Sequence, residues 1–183
     1  AYEGATNATA TYTLEDKRNP FGIDFTPANL YNDWPPTFNL DGVTSNDPRG
    51  TTGIQSAGDT AFVWTMTGVF RVEGSPDSGF RIVPVAEGCG AFTNQAVVNI
   101  EGSFLWLGPD GLYQKGEGLP ESLSNPAVSE DGVSRGINQT LARINPDAVD
   151  QIVANYNRTA NLVRWWLPLD GAAWNTHALV LDL

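Results

Sequence analysis

Apolar and polar positions alternate with a period of two along much of the chain, and Gly, Pro, Asn or Asp interrupts the alternation every few residues. That pattern predicts short antiparallel strands joined by tight turns. Strands are expected at residues 60–65, 68–73 and 79–85, then at 96–100, 103–107 and 111–115. A third group follows at 151–157, in LVRWWLPL from 162, and in the closing HALVLDL. In LVRWWLPL, Val163, Trp165 and Leu167 fall on one side and Leu162, Arg164 and Trp166 on the other. With both sides largely apolar, this strand is expected to be sandwiched. Helical periodicity is confined to RGINQTLARI, residues 135–144. Asn145-Pro146-Asp147 then reads as an N-cap, a proline at the first helical position and an acid in the first turn. One short helix is therefore expected near 137–150.

Two of the hairpins resemble each other. DTAFVWTMTGVFRVEG begins at residue 59 and EGSFLWLGPDGLYQKG at residue 101. Laid together, Phe62 falls on Phe104, Val63 on Leu105 and Trp64 on Trp106. After one extra residue in the second turn, Gly68 falls on Gly111, Val69 on Leu112 and Phe70 on Tyr113. Pro109-Asp110-Gly111 is turn chemistry, with positive φ expected at Gly111. A repeat of about 42 residues is the period of a four-stranded propeller blade. The expected fold is all-β, with β-propeller-like antiparallel four-stranded blades that are partial or completed by assembly. A β-sandwich is the alternative. Phe62, Trp64, Phe104, Trp106, Trp165 and Trp166 are the expected blade core.

Residues 1–58 lack this regularity and read as an irregular arm or insertion with one or two strands, and 59–183 as the blades. Within the arm, TATYTL alternates and is a candidate edge strand. Trp34-Pro35-Pro36 lies in a long proline-rich connection of the kind that is functional or interfacial. Residues 116–135 are rich in turns, with Leu119 and Leu123 expected to point inward. The sequence opens without methionine and reads as a processed chain or part of a longer one.

Composition narrows the chemistry. Lys and Arg number 10 against 21 Asp and Glu, a net charge of −11 that disfavours phosphate and nucleic acid. No apolar run is long enough for a membrane-spanning helix. Cys89 and His177 are the only residues of their types, too few for a zinc site, and Cys89 reads as a small buried side chain. The neighbours Glu15-Asp16 and Glu130-Asp131 read as solvated turn acids, and GPDG, SPDSG and SEDG lack the spacing of a calcium loop. Asn7, Asn138 and Asn157 each open an N-x-Thr sequon. Catalytic, cofactor and metal residues are not expected, and the chain reads as a non-enzyme.

Residues 59–183, most specifically WWLPLDGAAWNTHALVLDL, resemble the β-propeller part of structural proteins of short-tailed bacteriophages: the tail nozzle, tail tube B or head-closure stabilisation proteins. The order VWTMTGVFRVEG, Gly88-Cys89, VVNIEGSFLWLGPDGLYQKGEG, INPDAVDQIVANYN and LVRWWLPLDG carries the likeness. Leu181 stands where that family has Tyr, and His177 where it often has Asp. The resemblance implies a virion protein of the tail or head–tail connector, a propeller subunit in a homo-oligomeric ring beside other tail proteins. DNA would pass as cargo. Trp34, Pro35, Pro36 and Trp174 are the expected assembly contacts. The alternative is a carbohydrate- or receptor-binding module stacking sugars on Trp34 and Trp174. A propeller hydrolase is the third reading, with scattered arginines against it.

Overall fold

The computed structural model describes residues 23–24, 39–40, 50–75, 78–116, 118–124 and 133–183. A two-stranded ribbon pairs β1 (Ile23–Asp24) with β2 (Asn39–Leu40), and β2 lies against β6. Three antiparallel meanders follow. Sheet 1 comprises β3 (Thr51–Ala57), β4 (Thr60–Thr65), β5 (Gly68–Ser75) and β6 (Gly79–Glu87). Sheet 2 comprises β7 (Val97–Ile100), β8 (Ser103–Gly108), β9 (Gly111–Lys115) and β10 (Glu121–Ser122). Sheet 3 comprises β11 (Val153–Asn157), β12 (Leu162–Leu167) and β13 (His177–Asp182). In each, consecutive strands are neighbours. The chain is thus mostly β, and the sequence pattern anticipated every strand of the meanders but two. Sheet 1 begins at Thr51, inside the stretch assigned to the arm, and β10 falls in the turn-rich stretch after residue 115.

The helical passage splits in two. α1 (Val133–Leu141) is a short α-helix, and Pro146–Gln151 is 3-10. The expected cap forms: Asn145 Oδ1 accepts from the Asp147 N–H at 3.1 Å, and Pro146 occupies the first turn.

The sheets stack with their first strands together, β3 and β11 each lying against β7. Sheet 2 is buried on both sides. Val97, Phe104, Trp106 and Tyr113 face sheet 1, where they meet Phe62, Trp64 and Val69. Val98, Leu105, Leu107 and Leu112 face sheet 3, where they meet Val163, Trp165 and Leu167. The first seam is aromatic. Phe62–Phe104, Trp64–Phe104 and Trp64–Trp106 are edge-on pairs at 5.3, 5.2 and 5.8 Å between centroids, a favoured geometry.

Hydrogen-bond phase fixes which face is which. A two-residue hairpin loop closes on a hydrogen-bonded pair, and bonded and non-bonded pairs alternate from there. Gly58-Asp59 closes on Ala57 and Thr60, and Glu101-Gly102 on Ile100 and Ser103. Thr60 therefore matches Ser103, 43 residues on. The same step carries the pair Val63–Phe70 onto Trp106–Tyr113, with no extra residue in the turn. Phe62 matches Leu105 and Trp64 matches Leu107. The expected equivalences Phe62 with Phe104 and Trp64 with Trp106 are corrected: these residues lie on opposite faces of their sheets and touch across the seam. Gly68, Val69 and Phe70 do match Gly111, Leu112 and Tyr113.

Sheet 3 keeps the phase of sheet 2. Leu167 and Asn161 turn their carbonyls toward β13, accepting from the Thr176 and Leu183 N–H groups. Val163 and Trp165 share that phase with Trp106. Each sheet therefore points the same face forward along the stack. Val63 and Phe70, with Val72 and Ile82, form the rearward face of sheet 1.

The linker from sheet 1 to sheet 2 is held by the seam. Trp106 Nε1 donates to the Cys89 carbonyl and the Tyr113 hydroxyl to the Gly88 carbonyl, both at 2.9 Å. Burial, then the charge of Asp110, pushes the Tyr113 pKa up to about 12, so the hydroxyl remains a donor. A Cβ on Gly90 would fall 2.1 Å from the Met66 carbonyl carbon, so only glycine passes there. Gly111 has the expected positive φ, 151°, and a Cβ there would lie 2.1 Å from Ser124 Oγ. Trp165 Nε1 repeats the device on the second seam, donating to the Ala96 carbonyl at 2.9 Å. Trp64 Nε1 is buried with no partner.

Trp106→Phe should cost about 1–2 kcal/mol more than Trp64→Phe in urea denaturation, because only the first leaves a buried carbonyl unpaired. Equal losses would contradict the hydrogen-bonded role of Trp106.

Candidate functional site

The open end of the stack is sheet 3, and the motif WWLPLDGAAWNTHALVLDL builds it. After β12 the chain doubles back over the end of α1. The Asn145 N–H donates to the Pro168 carbonyl and the Asp170 N–H to the Arg143 carbonyl. The Arg143 guanidinium donates to both carboxylate oxygens of Asp170, at 2.9 and 2.5 Å. Asp170 and Gly171 both turn at positive φ. Asn145 and Asn175 side chains then donate to the Ala172 and Gln151 carbonyls. These bonds return the chain to β13 in register.

Side chains on the forward face of sheet 3 line up in ranks across the strands: Val153–Trp166–Ala178, Asn155–Arg164–Val180 and Asn157–Leu162–Asp182. Val153, Trp166 and Val180 are 37, 36 and 50 % exposed. The rearward face is the covered one, with Val163, Trp165 and Leu167 buried. Trp166, expected in the blade core, therefore lies outside it, and the strand is sandwiched on one face only. Among the described residues no strand lies beyond β13, where sheets 1 and 2 each carry a fourth.

Of the other expected contacts, Trp174 is 74 % exposed in the turn before β13. Trp34, Pro35 and Pro36 lie outside the described residues, as do Asn7, Glu15-Asp16 and Glu130-Asp131. Phe62, Trp64, Phe104, Trp106 and Trp165 are all buried core. Leu119 and Leu123 are exposed, contrary to expectation. β10 is two residues long, so the segment rides over the sheet edge. Ser124 turns in instead, its Oγ accepting from the Leu112 N–H at 3.0 Å.

Lys115 went unanticipated. It shares the inner face with Tyr113, is buried, and has Nζ 5.0 Å from the centre of the Phe62 ring. Nζ donates to the Gly116 and Gly118 carbonyls. Burial, then the charge of Arg71, lowers its pKa. Its parity with Tyr113 on β9 was the available signal. A groove of about 410 Å³ beside it includes Arg71 and Glu101. Arg71 is paired with Glu73 and Glu101 with Arg158, so both charges are already partnered.

The remaining candidates have structural partners. Cys89 is buried, and burial, then Asp110, pushes its thiol up to about 11. His177 is exposed, a ring nitrogen 2.9 Å from Thr176 Oγ1. Asn138 donates to the Ser124 carbonyl, and Asn157 Oδ1 accepts from the Ala160 N–H. No His/Cys/Asp/Glu group suited to a metal occurs among the described residues. No family model matches the chain, and no curated protein matches it either.

Arg143 holds the Asp170 carboxyl below its ordinary range. A depressed carboxylate contributes stability above its unfolded pKa and loses it as pH falls through the folded value. Asp170→Asn, which tolerates the same backbone, should therefore show a smaller fall in melting temperature between pH 7 and about pH 3 than the wild type. Parallel curves would contradict the clamp.

Proposed function

We propose that the chain is a non-catalytic structural subunit of a tail or head–tail connector of a short-tailed bacteriophage. Its sheets act as successive propeller blades, and neighbouring copies complete the ring around the DNA channel. The observation that carries this reading is the same-phase stack ending on a forward face where Val153, Trp166 and Val180 are exposed. The forward faces of sheets 1 and 2 are each covered by the next sheet. The forward face of sheet 3 calls for a further one. First strands packed side by side are the inner strands of such a fan. The sequence resemblance supplies the phage context. A net charge of −11 suits a channel wall that phosphates do not grip.

A second reading, a sugar-binding module, draws on Trp174, the most exposed aromatic among the described residues. Its mark would be a glycan-dependent change in tryptophan fluorescence abolished by Trp174→Ala.

Sedimentation of the full chain over a range of concentrations tests the ring. The wild type should self-associate. Trp166→Glu should weaken association by about 30-fold or more, as loss of a central aromatic anchor does, with the circular dichroism unchanged. A wild type that stays monomeric throughout, or a variant that assembles equally well, would contradict the proposal.

A further inference from the structure

Natural sheets protect their edges with charges, proline or very short strands, because an unpaired edge recruits another strand. Sheet 1 ends on β6, which carries Arg81, Pro84 and Glu87. Sheet 2 ends on β10, only two residues long. Sheet 3 ends on β13, HALVLD, with six residues, no proline, and one carboxylate at its far end.

His177, Leu179 and Leu181 pair toward β12, since Leu167 and Asn161 accept on that side. Alternation turns the N–H and C=O of Ala178, Val180 and Asp182 outward. Leu179 and Leu181 pack against the core only in part, so the edge is apolar on its rearward face as well.

We propose that residues 9–14 of a neighbouring copy, TATYTL, add to β13 as the fourth strand of sheet 3. This rests on the ring reading, because head-to-tail packing brings the neighbour's sheet 1, with β2 against its β6, beside sheet 3. The segment fits the edge chemically. Residues 4–14 carry no charge in a chain of net −11. Ala10, Tyr12 and Leu14 alternate with Thr9, Thr11 and Thr13, so one face is apolar for Leu179 and Leu181 and the other carries threonines on the side of Val180. Thr and Tyr favour extended strands. Main-chain bonds would supply affinity and the alternate pockets register, as in strand addition generally.

The test mixes two full-length chains, one carrying Thr11→Cys and the other Val180→Cys, under mild oxidation. Cys89 is buried and does not compete. The expected result is a disulfide joining the two chains. In the wild-type assembly, amide exchange at Ala178, Val180 and Asp182 should slow by about tenfold or more relative to the dissociated Trp166→Glu chain. Assembly without the cross-link and without amide protection would overturn the strand donation and leave the ring standing. A disulfide that forms only within a chain bearing both substitutions would overturn the exchange between copies. A wild type that never assembles would overturn both.

Discussion

A strand pair that is apolar on both faces cannot be left beside water on either. β8 and β9 are such a pair. Phe104, Trp106 and Tyr113 project one way, Leu105, Leu107 and Leu112 the other, and all are buried. Covering both sides requires a sheet above and a sheet below, and sheets 1 and 3 take those places. At roughly 25 cal/mol per Å² of apolar surface, the ring pairs of the first seam are among the largest single contributions to the stack. The linker follows from the same demand. Gly88, Cys89 and Gly90 must pass where Trp106 and Tyr113 pack, and the Cys89 and Gly88 carbonyls satisfy the polar ends of those rings.

Repetition in phase makes the stack directional. Because each sheet turns the same face forward, the arrangement has a beginning and an end, and its two ends differ. The rearward end holds Val63 and Phe70, both buried. The forward end holds Trp166 and Val180, both exposed. A directional stack with unlike ends suits head-to-tail association, which closes into a ring when the rotation allows. The forward end also has the edge with no proline and a single carboxylate, Asp182, at its far end, so the proposed neighbour would cover its face and its edge together.

The turns and strands of the meanders were legible in the sequence because Gly, Pro and Asp mark the bends and the alternation marks the strands. The cap at Asn145 was legible for the same local reason. The face assignment was not. Where both faces are apolar, alternation carries no parity, so Phe62 and Trp64 could be matched to Phe104 and Trp106 by residue type. The two-residue loops at Gly58 and Glu101 held the correct phase, one residue away. β3 was hidden because TTGIQSA is too polar to stand out. Its Gln55 reaches across to the Asn94 and Val97 carbonyls and works as a seam residue. For Trp166 the difficulty was different. Its rank is as apolar as a core rank, and sequence alone does not say whether a further sheet covers it.

Equivalent-looking aromatics meet across the first seam and do not occupy equivalent places. Proton–proton contacts between assigned aromatic rings test it most directly. Cross-peaks are expected between Phe62 and Phe104 and between Trp64 and Trp106, whose ring centroids lie 5.3 and 5.8 Å apart, and none from the Val63 methyls to the Trp106 ring. Contacts from Val63 to Trp106, with Phe62 and Phe104 silent toward each other, would contradict it.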